Sequence, residues 1–342
     1  PIVSFPNSPW ARTFELKKNL ALVNQAWCDV ATFFLYEDIT IRRLPQLFQL
    51  LFTLSRPSCR NLGPMIRTLE LKCYIPEPVG EEFGQTLRTA LAHCTSLSGF
   101  SYFSQCRLPL RVFTGNLLLP TSIRQLHLDL MLEEETAEKI LRHLQGELSY
   151  LRMRIQRIRR VKIQHLVFPC LRTVWFETDR YSIHRELEVL ETWTMPSLER
   201  FIISNGQHSD DSYHFRTRTV HRPSIIQRGE DQLFAFLSQS GGKLKYFSTM
   251  YRGHSEFVQQ ILDCCPLLER LSLFVRIYDA DFESQKIICR ICSHKNLRCV
   301  DFVLENEGSL ELAFVAKDIQ SLVEPGLREF FGLPPFLNHW FH

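Results

Sequence analysis

The side chains in this sequence that could do chemistry are few and scattered. Cys289, Cys292 and His294 form a Cys-x-x-Cys-x-His cluster, and thiolates at that spacing can share one zinc ion. A zinc site needs a second half, and the candidates Cys264, Cys265 and Cys299 fall near positions that the repeat described below turns inward. Ile287, Ile288 and Ile291 surround the first pair as core residues would. These thiols therefore read as buried, and no metal is expected. His208, Asp210, Asp211, His214 and His221 gather in a polar stretch from Gly206 to Glu230. A mixed His/Asp set suits metal or acid-base work, but nothing in the pattern turns these side chains toward one another, and long polar stretches more often serve as binding elements. No Gly-rich phosphate loop, HExxH, nucleophile elbow or kinase motif set occurs. The sequence predicts no catalytic residue and no cofactor, and an enzyme is not expected.

Arg152, Arg154, Arg157, Arg159, Arg160 and Lys162 place six cations within eleven residues, a set able to hold phosphate or an acidic segment. No aromatic platform interleaves it, so it reads as a solvated face. Lys and Arg total 40 against 37 Asp and Glu, a net charge of +3, too small for a polyanion to be the expected partner. Nucleic acid is accordingly not expected. No stretch reaches about 18 consecutive apolar residues, and the first thirty lack a secretory signal, so neither a membrane partner nor secretion is expected. Eleven cysteines, an odd count without even spacing, fit reduced thiols in the cytoplasm or nucleus. The chain begins at Pro1 rather than methionine, so something upstream is expected to be missing.

With 45% hydrophobic residues the chain can bury a large core, and a repeat organises it. The pattern is apolar, two variable residues, apolar, one variable residue, apolar. Copies occur at Ile66, Leu69, Leu71; Leu97, Phe100, Tyr102; Ile123, Leu126, Leu128; and Leu148, Leu151, Met153. They continue at Leu171, Val174, Phe176; Leu198, Phe201, Ile203; Leu268, Leu271, Leu273; and Leu297, Val300, Phe302. A degenerate copy is Leu244, Phe247, Thr249, and a last one starts at Leu327. Between the strands lie residues at helical spacing, such as Phe83, Leu87, Leu91, or Ala137, Ile140, Leu141, Leu144, or Phe257, Ile261, Leu262. A strand and helix of this size cannot bury their apolar faces alone, so neighbours must stack, strands in a parallel sheet and helices outside. This resembles the leucine-rich-repeat family, of the ribonuclease-inhibitor-like kind, over roughly residues 60 to 332. The resemblance implies an α/β solenoid, a horseshoe with a parallel inner sheet starting near Ile66, running over residues 46 to 342 with an insertion near 206 to 230.

Leu16, Leu20, Val23, Trp27, Val30 and Phe34 step by four and three, one apolar stripe on a helix. Terminal repeats of solenoids need such a cap, and Trp27 is expected to be buried against Val23, Leu35 or the first repeat. The wording of Leu20 to Ile41 also resembles the second half of an F-box, with Leu22, Val23, Trp27, Ala31, Leu35 and Tyr36 at the family's places. Asn24 stands where the family commonly has Cys, and the opening Leu-Pro-x-Glu segment is not found in residues 1 to 19. Residues 1 to 45 thus form an F-box-like segment incomplete at its N-terminus. The resemblance implies that Leu22, Val23, Trp27, Leu35 and Tyr36 bind a Skp-type linker protein, that the linker joins a cullin, and that the repeats hold a substrate for ubiquitination. The alternative is a repeat scaffold that binds a partner protein with no ligase role.

Variable residues of each strand alternate away from the core and line the concave face. Trp175, Ile202, Met250 and Phe274 are large and apolar at positions stacking does not require to be so, and Arg200 and Tyr246 lie beside them. Trp, Tyr and Arg are enriched at interface hot spots. These six residues are the expected partner-binding face, and the alternative is that the insertion folds over it.

Overall fold

The computed structural model describes residues 16, 17, 19, 20, 22–57, 61–103, 119–130, 134–155, 165–178, 183–205, 223–252, 255–276, 291, 293–306 and 309–316. The chain divides into two compact units, Pro1–Ser149 and Tyr150–His342. The first unit contains α1 (Gln25–Glu37), β1 (Asp38–Ile41), α2 (Leu44–Ser55), β2 (Thr68–Leu71), α3 (Gly80–His93), β3 (Gly99–Phe103), β4 (Gln125–Leu130) and α4 (Glu134–Leu144). In the second are β5 (Tyr150–Ile155), β6 (Thr173–Thr178), α5 (Ile183–Leu190), β7 (Arg200–Asn205), α6 (Pro223–Ser240), β8 (Tyr246–Arg252), α7 (Ser255–Cys264), β9 (Arg270–Arg276), β10 (Cys299–Asn306) and β11 (Ser309–Ala316).

Both units are α/β, and in each the strands pair in the order of the chain. β1 to β4 are parallel throughout, as are β5 to β10. The apolar triads explain why. In all nine described copies the triad residues whose side chains are described are buried, the degenerate Thr249 included. Pairing sets like positions side by side: Leu69, Phe100 and Leu126 in the first unit, and Leu151, Val174, Phe201, Phe247, Leu271 and Val300 in the second. A slip of one residue would turn every one of them to solvent, so burial fixes the register.

A backbone motif recurs at the start of the strands. The N–H groups of Ser98 and Gly99 both donate to the Arg67 carbonyl, those of Arg124 and Gln125 to Ser98, and those of Glu199 and Arg200 to Arg172. Lys245 and Tyr246 do the same to Glu199, and Glu269 and Arg270 to Lys245. Each copy thus hands one carbonyl to the next. The helices bury one face each: Phe83, Leu87, Ala90 and Leu91 in α3, Ile140, Leu141 and Leu144 in α4, Phe257, Val258, Ile261 and Leu262 in α7. Phe236 of α6 and Phe201 of β7 meet at 4.7 Å between ring centres, which ties helix layer to sheet.

Two glycines occupy equivalent places, three residues before a copy. Gly63 opens the 3-10 turn Gly63–Met65, and a Cβ there would lie 2.3 Å from the His93 carbonyl oxygen at the end of α3. Gly241 opens Gly241–Lys243, and its Cβ would lie 2.6 Å from the Cys264 carbonyl oxygen at the end of α7. Only glycine lets the neighbouring helix end approach so closely.

Several expectations change. The sheet begins at Asp38, since β1 pairs with β2, rather than near Ile66; Tyr36, Ile39 and Ile41 repeat the triad spacing, and Ile39 and Ile41 pair with Leu69 and Leu71. The stripe from Leu16 to Phe34 is not one helix. Asn24 has extended backbone and its side chain accepts a hydrogen bond from the Trp27 N–H at 3.0 Å, so it starts a new helix after a turn at Leu22 and Val23. The polar stretch expected to reach Glu230 gives way to α6 at Pro223, where proline suits a first helical turn. The last strand among the described residues, β11, is antiparallel to β10, against the expectation of parallel strands throughout. The copy at Leu327 lies outside the described residues.

Candidate functional site

Outward side chains of β5 to β10 form rows across the strands. The first row is Tyr150, Thr173, Arg200, Tyr246, Arg270 and Cys299, and the second is Arg152, Trp175, Ile202, Ser248, Ser272 and Asp301. In a third row the backbones of Arg154, Glu177 and Ser204 are neighbours, as are those of Arg252, Phe274 and Val303. Strand alternation places the first two rows, with Glu177 and Ser204 of the third, on one face, opposite the triads.

Two Arg–aromatic clusters stand on this face. In one, the Arg152 guanidinium lies 3.8 Å from the centre of the Trp175 ring and donates to Glu177 through Nε at 2.6 Å, and also through its terminal nitrogen. Trp175 Nε1 donates to Ser204 Oγ at 2.6 Å. Every polar atom of the Trp175 side chain is therefore satisfied, and the carboxylate of Glu177, itself buried, is neutralised by its neighbour. Burial pushes the Tyr150 hydroxyl pKa up, with the Arg152 charge acting in the opposite direction.

In the other cluster, Arg200 and Arg270 both stand over the Tyr246 ring, at 5.0 and 5.6 Å from its centre, inside the range of cation–π attraction. Arg270 Nε donates to Asp301 Oδ2 at 2.6 Å, and Asp301 is only 3% exposed. That hydrogen bond raises the Arg270 pKa further. Burial, then the Asp301 charge, raises the Cys299 thiol pKa. Arg200 is exposed and, among the described residues, has no carboxylate partner.

Of the six residues expected on the partner face, Trp175, Ile202 and Tyr246 are half-buried and Arg200 is exposed, all on β6, β7 and β8. Phe274 holds its place in β9, but Met250 does not share its row. The β8 register shifts after Thr249, so that Arg252 is the residue opposite Phe274. The side chains of Met250 and Phe274 lie outside the described set. Sequence reasoning missed Arg152, whose place at the central variable position of the Leu148 copy marks it as a strand residue rather than part of a solvated run. It also missed Arg270 and Tyr150, which precede their copies' inward residues by one. The remaining cations of that run, Arg157 to Lys162, lie outside the described residues, as do Cys289, Cys292 and the cluster His208 to His221.

His294 directs Nε2 at the Cys265 carbonyl oxygen, 3.2 Å away, not at a sulfur. Among the described residues no three His, Cys, Asp or Glu stand together to hold a metal ion, and no helix is long and apolar enough to cross a membrane.

The expectation of a buried Trp27 is not met. Trp27 is 46% exposed, and Leu22, Val23, Val30 and Phe34 are exposed with it. The helix turns in a neighbouring strip instead, Cys28, Ala31, Thr32 and Leu35, of which Ala31 is fully buried and the rest are half-buried. These residues are mostly small, so α1 packs closely against the Gly63–Met65 turn and the start of β1, and the larger side chains face out. Tyr36 is half-buried.

No protein-family model matches the chain, and no curated protein matches it either.

Proposed function

We propose that the chain is a substrate-receptor subunit of a Skp–cullin–F-box ubiquitin ligase, its strand–helix copies being leucine-rich repeats that hold the substrate protein. The observation that carries this reading is the exposed apolar side of α1 and the turn before it: Leu22, Val23, Trp27, Val30 and Phe34. Contiguous exposed apolar side chains of this size mark a docking surface, and Leu22, Val23 and Trp27 are the ones the F-box resemblance assigns to a Skp-type linker. The face of β5 to β10, with Trp, Tyr and Arg side chains in contact, has the composition of an interface centre and supports substrate holding.

One observation favours the second reading, a repeat scaffold with no ligase role: α1 runs directly into β1, which pairs with the repeat strands, as the first helix of an array would. Binding of the chain to a purified Skp-type linker, measured by calorimetry, separates the two. The ligase reading expects a complex that Trp27→Asp weakens by about 30-fold or more, the loss of one anchor worth at least about 2 kcal/mol, with the melting temperature kept because Trp27 is exposed. Absence of any complex, or a complex indifferent to Trp27→Asp, leaves the scaffold reading.

A further inference from the structure

The second unit's sheet face has a charge pattern that says more about its occupant. Arg152 and Arg270 are committed to the carboxylates of Glu177 and Asp301, both buried. Arg200 is not committed in this way: exposed, it stacks on Tyr246, and no described carboxylate pairs with it. A cation–π contact holds the guanidinium beside the ring without using up its N–H donors, which can then recognise a carboxylate by paired hydrogen bonds. Two residues along the same strand stands Ile202, half-buried and on the same face. One strand thus offers a cation and an apolar side chain about 7 Å apart, the distance between alternate residues of an extended chain.

The Trp175 and Tyr246 rings do not serve as platforms for bases. The Trp175 ring carries Arg152 at 3.8 Å, and the Tyr246 ring carries Arg200 and Arg270. Base stacking needs open ring faces, and these two rings already carry guanidiniums. A phosphorylated side chain, with up to two charges, is best held by several uncommitted guanidiniums, whereas among the three arginines whose side chains are described on this face only Arg200 lacks a carboxylate partner.

From this geometry we infer that the face of β6 to β8 takes an extended segment of a partner protein carrying a Glu or Asp over Arg200 and an apolar residue two positions away over Ile202. The inference rests on the repeats being the partner-holding part of the protein. It names the chemistry they select.

The test uses the full chain and defined probes. Two fluorescent pools of ten-residue peptides are identical except that one carries glutamate and the other glutamine two positions from a fixed leucine. A third pool has phosphoserine in place of the glutamate, and a fourth probe is oligouridine. Fluorescence anisotropy should show the glutamate pool bound at least ten-fold more tightly than the glutamine pool. Arg200→Gln should erase that preference without moving the melting temperature, since the side chain is exposed, and added salt should weaken the glutamate pool more than the glutamine pool. Equal binding of the first two pools, binding of neither, or tighter binding of the phosphoserine pool or oligouridine overturns the inference. Linker binding through α1 is scored separately. Its loss removes the ligase reading alone, and an absent glutamate preference removes this inference alone.

Discussion

Cys73, Cys94 and Cys265 are each buried, and burial raises their thiol pKa from 9.0 to about 11, about 11 and about 12 respectively. A thiolate is the reactive form, so at neutral pH these side chains behave as small apolar groups. Cys170 is exposed in a turn before β6. Iodoacetamide at pH 8, followed by peptide mass mapping, should label Cys170 in the native protein and spare the other three until denaturant is added. Equal labelling of Cys265 and Cys170 would mean the core is not closed at Cys265. The same shifts set a stability window. The neutral thiol is the form the core accepts, so the contribution is complete below about pH 9 and is lost as pH climbs toward 11 to 12. Melting temperature should fall steeply over that alkaline interval, and less steeply in a Cys265→Ala variant.

At the scale of elements, adjacent glycines differ in what they tolerate. A Cβ at Gly241 meets the Cys264 carbonyl oxygen at 2.6 Å, while one at Gly242 meets nothing within 4 Å. Gly241→Ala should therefore cost about 1 to 3 kcal/mol, as overpacking against rigid backbone does, and Gly242→Ala should be close to neutral. Urea unfolding of the two variants is the measurement, and similar midpoints would contradict the close approach. The strands are legible in the sequence because their cause is local: one triad per copy, repeated, and buried wherever its side chains are described. The alternation that follows from it is legible too, and it correctly puts Trp175 and Ile202 in one row. What the sequence conceals depends on contacts between copies. The bulge that removes Met250 from its row shows only in the pairing of β8 with β9. Glycine at 63 and 241 gains its meaning from the end of a helix that comes later in the chain, at His93 and Cys264. Periodicity misplaces Trp27 because the apolar stripe and the inward strip are neighbours on α1, and it weighs large side chains where packing selects small ones.

For the molecule as a whole, a net charge of +3 over 342 residues leaves recognition to local arrangement rather than to a broad field. The sequential strand order has a mechanical consequence. Among the described residues, each strand from β6 to β9 is paired only with the strands before and after it in the chain, so no strand pairing clasps distant copies together. Under tension applied through the chain ends in an optical trap, the protein should yield copy by copy rather than in one rupture. A copy of 23 to 31 residues released to full extension adds roughly 80 to 110 Å at about 3.5 Å per residue. The interval from Leu198 to Leu244, which contains α6, should appear as a single longer step of roughly 160 Å. Such a ladder of extensions would make the protein a compliant tether that lengthens in increments while its remaining copies stay folded, whereas a single all-or-none event would show that the copies are coupled beyond their nearest neighbours.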